Sequence, residues 1–303
     1  MNRRELLRRA GAAAAVLGVS HLSGTVPFGW AAPAERAGKS GKRKLLVFTR
    51  SQTFEHPCLK REAPDKLSLL ERIVTSLGEK HGFEATCTKD GRVFIKDELA
   101  KYDAFLFETT GDLTKEGGDN NPPMPKEGKQ ALLDAVAGGK GFVGCHCGSD
   151  TFHSKDDKNI DPYIAMLGGE FIVHGAQQKA KMVVVDNQFP GAKDLKDFDL
   201  HEEWYALKYF APDLHVILAQ DSTGMKGDMY QRPLFPATWA RMHHKGRVFY
   251  TSMGHREDVW ENPMFQTLLV GGLTWAFGDV DAKVEPNIKE ATPKANEYPA
   301  RKK

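Results

Sequence analysis

Between residues 44 and 145, short runs of β-forming apolar residues alternate with segments whose apolar positions repeat at helical spacing. Lys44–Thr49 is the first such run; Phe83–Thr88, Tyr102–Phe107 and Gly141–Cys145 read as three further strands. Pro64–His81 carries Leu67, Leu70, Ile73, Val74 and Leu77 at helical spacing, with Asp65 in its first turn and Gly82 past its end. Lys126–Ala137 reads as a second helix, entered through a Gly-, Asn- and Pro-rich loop over 111–125 and closed by Gly138-Gly139. Such alternation demands parallel strands joined by crossover helices, which is a doubly wound α/β sheet. After Asp150 the pattern changes. Lys181–Val185, His201–Tyr209, His215–Ala219, Pro236–Arg241 and Gly246–Ser252 read as strands with few helices between them. No linker interrupts the run, so the sheet is expected to become mixed in its second half rather than give way to another domain. Pro263–Phe277 is a closing helix, and the polar residues 281–303 are expected to form a disordered tail.

The N-terminus has a different logic. Arg3-Arg4 is followed by Leu6-Leu7, a ten-residue apolar stretch from Ala10 to Val19, and Ala32-Pro33-Ala34. Paired arginines, a short apolar region and an A-x-A site, in that order, are the parts of a twin-arginine export signal over residues 1–34. The apolar region is too short to span a bilayer, and no later stretch is apolar enough to do so. Residues 35–43 are expected to be a flexible linker and 44–280 the folded domain. An exported, periplasmic protein follows from this reading. Loss of the leader removes four of the 42 basic groups (Arg3, Arg4, Arg8, Arg9) and one of the 40 acidic ones (Glu5), leaving a formal charge of −1. That balance gives no basis for a nucleic-acid or anionic-membrane partner. Export permits disulfides among the four cysteines, but a domain of this size does not need them.

In open α/β sheets, ligands collect beyond the carboxyl ends of the strands. The segments that follow the expected strands are rich in imidazoles and acids: Phe54-Glu55-His56; His146 through Asp150, Phe152 and His153; His174; His201-Glu202-Glu203-Trp204-Tyr205; and His255. Gly144-Cys145-His146-Cys147-Gly148 has the outline of a nucleophile elbow, yet an imidazole holds the central place. The flanking Cys145 and Cys147 are expected to point away as small buried hydrophobes. His146, His153, His174, His201, Glu203 and His255 supply enough donors for a divalent Zn²⁺-type ion, although their spacing matches no familiar zinc motif. The alternative is a metal-free site in which a carboxylate and an imidazole exchange protons. Phe54, Phe152, Trp204, Tyr205 and Trp239 lie close in sequence to these polar groups, and aromatic faces pack on the C–H faces of sugars.

Several of these segments together resemble one family. Phe54-Glu-His56, Gly141-Phe-Val-Gly-Cys-His146, Ser149-Asp-Thr-Phe-His153, Glu203-Trp-Tyr205, Thr238-Trp239, Gly246 through His255, and the closing helix from Asn262 to Trp275 look like the ThuA-like (trehalose-utilisation) family, over roughly residues 44–278. The resemblance implies a three-layer flavodoxin-like fold related to class I glutamine amidotransferases, without their Cys nucleophile. It also implies a part in the use of trehalose, related disaccharides or 3-keto-glycosides. The expected activity is cleavage of a glycosidic linkage, with His56, His146, Asp150, His153, Glu203 and His255 as acid, base or metal ligands. Phe54, Phe152, His174, Trp204, Tyr205 and Trp239 would hold a small carbohydrate. A non-catalytic carbohydrate-binding protein is the first alternative; an amidotransferase-like enzyme is disfavoured by the elbow imidazole. The cysteine pair around His146, and His201-Glu202 before Glu-Trp-Tyr, depart from the commoner family pattern.

Overall fold

The computed structural model describes residues 41–299, so the expected leader lies outside the described residues. The described residues belong to one compact unit. β1 (Arg43–Phe48) starts within the expected linker, since Arg43 already pairs with Phe83 in the ladder and donates to Asp279. α1 (Leu69–His81) begins five residues later than the apolar spacing suggested. The reason is a capping box: the Ser68 hydroxyl accepts from the Glu71 N–H, and the Glu71 carboxylate accepts from the Ser68 N–H. Then follow β2 (Phe83–Thr88), α2 (Lys96–Leu99), β3 (Ala104–Phe107), α3 (Gly128–Ala137) and β4 (Gly141–Cys145). The second half holds α4 (Pro162–Leu167), β5 (Glu170–His174), β6 (Gln178–Val184), β7 (Phe198–Glu202), β8 (Tyr205–Lys208), β9 (His215–Asp221), β10 (Phe235–His243) and β11 (Gly246–Thr251). The chain closes with α5 (Glu257–Trp260), α6 (Pro263–Phe277) and α7 (Ile288–Ala291).

One nine-stranded sheet runs in the order β2-β1-β3-β4-β11-β10-β9-β6-β7. The five strands from β2 to β11 are parallel, and from β11 to β7 every neighbour is antiparallel. This is the flavodoxin-like order, mixed in its second half. β1, β3 and β4 read as apolar runs because both faces of the parallel sheet are covered there, whereas β2, at the edge, is only partly buried. α6 packs against β4 and β11. It is apolar on nearly every side because its other face meets the loop at Pro190, where a Cβ at Gly271 would lie 2.0 Å from the Pro190 carbonyl oxygen.

Two expectations need correction. The single strand over His201–Tyr209 is in fact β7 and β8, broken at Glu203-Trp204 and belonging to different sheets. β8 pairs with β5 as a two-stranded ribbon, His174 opposite Tyr205. The polar tail is not loose over residues 281–299. Asn287 offers its amide to both backbone groups of Val216, Asn296 does the same at Phe210, and Arg232 donates to the Ala295 carbonyl. Ile288 and Ala295 are buried beneath this strap.

Candidate functional site

The chain leaves β1 for β2 on one side and later returns to β3 on the other, so a crevice opens at their carboxyl ends. Four loops and links deliver side chains there. His56 comes from the loop after β1, His146 from the first residue after β4, Glu203 from the β7–β8 link and His255 from the loop after β11. One donor atom from each lies within 4.8 Å of all the others, and all four residues are buried.

The elbow is built to aim His146. Its backbone sits at φ 32°, a left-handed conformation costly for a residue with a Cβ. The Tyr250 hydroxyl donates to its carbonyl at 2.8 Å, and the Ser149 hydroxyl can donate either to that carbonyl or to the Tyr250 oxygen, which holds the turn. His146 Nδ1 lies 3.0 Å from the Ser252 carbonyl oxygen and must donate to it, so the Nε2 lone pair faces the cluster. Nε2 is 3.5 Å from Glu203 Oε2 and His255 Nδ1 is 3.0 Å from the same oxygen, but neither pair is aligned as a hydrogen bond. His56 Nε2 lies 3.5 Å from the Tyr205 hydroxyl, leaving Nδ1 without a partner. Three buried ring nitrogens around one carboxylate are thus unsatisfied by protein atoms. Buried polar atoms rarely stay so, and a cation bound by all four residues would satisfy them together.

The electrostatics agree with that fit. His56 is pushed down to about 2, first by burial and then by the neighbouring His146 and His255 rings, so it is a neutral imidazole able to donate a lone pair. Burial opposes ionisation of Glu203, but the adjacent His146 and His255 outweigh it and hold the carboxyl well below its ordinary range. The ribbon covers the cluster. Tyr205 lays its ring 3.9 Å from that of His146, and half-exposed His174 places Nδ1 between the Gly175 carbonyl (3.0 Å) and Glu203 Oε1 (3.2 Å). At the mouth, exposed Phe54 meets His56 edge-on, and a cavity of about 290 Å³ beside His255 is lined by Pro57, Gln177 and Arg256. A larger cleft, about 780 Å³, lies at the opposite ends of the strands, among Arg43, Asp103 and Lys140, away from this chemistry.

The ThuA family, described as trehalose utilisation, matches residues 44–276. The chain belongs to the ThuA family. Two solved structures described as ThuA-like are similar to it. One, from Bacteroides uniformis, is 21% identical with a TM-score of 0.57, covering 86% of this chain and 100% of its own. The other, from Parabacteroides merdae, is 16% identical with a TM-score of 0.57, covering 80% and 93%. None of the curated proteins compared matches the chain. Membership links this ThuA chain to carbohydrate utilisation, and no helix among its described residues is long and apolar enough to cross a membrane.

Other residues singled out in the ThuA sequence fall elsewhere. His153 and Asp150 form a neighbouring network: His153 Nε2 is 2.6 Å from Asp150 Oδ1, Nδ1 is 3.4 Å from Glu170 Oε1, and Lys208 also pairs with Glu170. Hydrogen bonds to Asp150 and Glu170 raise His153 to about 9, so it is a cation tied to carboxylates rather than a lone-pair donor. His201 alternates to the exposed side of β7, away from the cluster. Trp204 and Trp239 are fully buried in the core rather than open to a ligand: their indole N–H groups donate to the Gln178 and Leu167 carbonyls. Phe152 is buried against Tyr163 and under Lys129. All four cysteines are free, and burial pushes the Cys145 and Cys147 thiols well up, with Cys147 donating to Glu108. Sequence reasoning missed Glu108, fully buried at the end of β3, where burial raises its carboxyl far above the ordinary range. An acid directly after the apolar run Ala104–Phe107 was the available signal.

Proposed function

We propose that this ThuA protein is an exported enzyme that cleaves a disaccharide or keto-glycoside with the help of a divalent, Zn²⁺-type ion held by His56, His146, Glu203 and His255. The observation that carries the reading is the set of three buried imidazole nitrogens without hydrogen bonds, gathered around Glu203. Family membership supports the carbohydrate, and the paired arginines at Arg3-Arg4 support export. Bound there, the ion would polarise an oxygen of the sugar. His174 is the base in this reading. Its Nδ1–H faces the Gly175 carbonyl and Glu203, which leaves the Nε2 lone pair directed outward. In a 3-keto-glycoside, His174 takes the proton from the carbon beside the carbonyl. The electron pair forms a ring double bond and expels the glycosidic oxygen, which takes up a proton as it leaves; water then adds across the double bond. Cationic His153 at the rim is suited to holding the departing oxygen. Phe54 offers its exposed face to a sugar ring at the entrance.

The test is metal analysis of the full-length protein joined to assays with native and 3-keto disaccharides, before and after chelation. The expected result is bound divalent metal, turnover of the keto sugar and none of the native one. His146→Ala and Glu203→Ala should each lose the metal and lower turnover by about 10²-fold or more. Full activity after chelation, or in both variants, overturns the metal-assisted mechanism. No turnover of either sugar class overturns the cleavage.

A further inference from the structure

Glu202 is fully buried at the end of β7, and its carboxylate is bonded at both oxygens. Oε1 accepts from the Glu203 N–H at 2.7 Å, and Oε2 accepts from the Gly254 N–H at 3.1 Å. These two peptides immediately carry or precede the side chains of Glu203 and His255. In the order β11-β10-β9-β6-β7, β7 lies four strands from β11. At about 4.8 Å per strand, roughly 19 Å would separate them in a flat sheet. The Glu202–Gly254 hydrogen bond therefore joins the end of β7 to the loop after β11, two segments that the strand order alone would keep apart. The Gly254 peptide is held on its other side as well, with its carbonyl accepting from the Trp260 indole and from Cys58. Gly254 stands at φ +130°, a conformation that a side chain would strain and that glycine adopts freely.

A second observation concerns charge. Among the described residues no Lys or Arg forms an ion pair with Glu202 or Glu203; the partners of Glu203 are all imidazoles. Two adjacent buried carboxylates, one facing the cluster and the other the backbone behind it, call for positive charge from elsewhere. Resting on the metal reading above, we propose that Glu202 is a positioning residue of the ion site: it fixes the separation of the Glu203 and His255 side chains and supplies the second negative charge that a divalent cation balances.

The test measures Zn²⁺ affinity of the full-length protein by competition with a chromophoric chelator, and the visible spectrum after Co²⁺ loading, which reports ligand geometry. Glu202→Gln keeps the shape but loses the charge and turns an amide N–H toward a backbone N–H. Glu202→Asp keeps the charge and shortens the reach. Each is expected to weaken Zn²⁺ binding about 10- to 100-fold, as lost support of metal ligands does, with a shifted Co²⁺ spectrum. A merely structural role would lower the melting temperature of the metal-free protein and leave affinity and spectrum alone. Wild-type affinity and spectrum in whichever variant folds overturns the inference while sparing the site. A wild-type chain that binds no Zn²⁺ overturns the metal reading itself.

Discussion

His153 lies between two carboxylates, and that arrangement sets its charge. Raised from 6.5 to about 9, it contributes stability that is complete below about pH 6.5 and is lost as pH rises through about 9. Its partner Glu170, lowered to about 2 chiefly by hydrogen bonds that outweigh its burial, contributes above about pH 4.5 and stops as pH falls through about 2. The pair is therefore complete between about pH 4.5 and 6.5, and alkali should weaken it first. NMR titration of the His153 ring should give a midpoint near 9; a midpoint near 6.5 would mean that the network does not hold the proton. Residue by residue, the sequence disclosed His56, His146, Glu203 and His255 because each follows or joins strands. It misplaced Trp204 and Trp239 because nearness in sequence is not nearness of faces: neighbours along extended chain point to opposite sides. Glu202 and Glu203, adjacent and chemically alike, show the same limit, since one faces the cluster and the other its supporting backbone.

Asn287 and Asn296 bind the C-terminal strap by imitating strand neighbours: Asn287 satisfies an N–H and a C=O of Val216 on β9, and Asn296 does the same for Phe210 in the segment after β8. Asn287→Ala leaves both backbone groups of Val216 without this partner, and urea unfolding should show a loss of about 1–3 kcal/mol. An unchanged unfolding midpoint would mean that the strap adds nothing to the fold. Composition alone could not reveal this element. A polar segment with two buried apolar anchors, Ile288 and Ala295, reads as solvated until its amides are seen to replace backbone donors and acceptors. The inner strands of the parallel half, β1, β3 and β4, were legible for the opposite reason, as apolar runs buried on both faces. β7 and β8 were not separable, because the break falls at Glu203-Trp204, with no Gly or Pro to mark it.

At the scale of the molecule, the candidate ligands run from position 56 to position 255, so the site exists only when nearly the whole sheet is formed. This accords with export in the folded state, the use we propose for the leader. Replacing Arg3 and Arg4 together by lysine should retain the protein in the cytoplasm, as cell fractionation would reveal; unchanged export in cells lacking the twin-arginine translocase would refute that route. The covering ribbon and the buried ligands also govern traffic of the ion. A cation held by His56, His146, Glu203 and His255 would keep the one approach that a sugar oxygen uses, and could leave only when the β7–β8 link parts from the loop after β11. Release should then run at one speed whatever the chelator concentration, timed by that opening. A copy of the protein carried to a new compartment would keep the ion it met while folding, a memory of its birthplace rather than a sample of its surroundings.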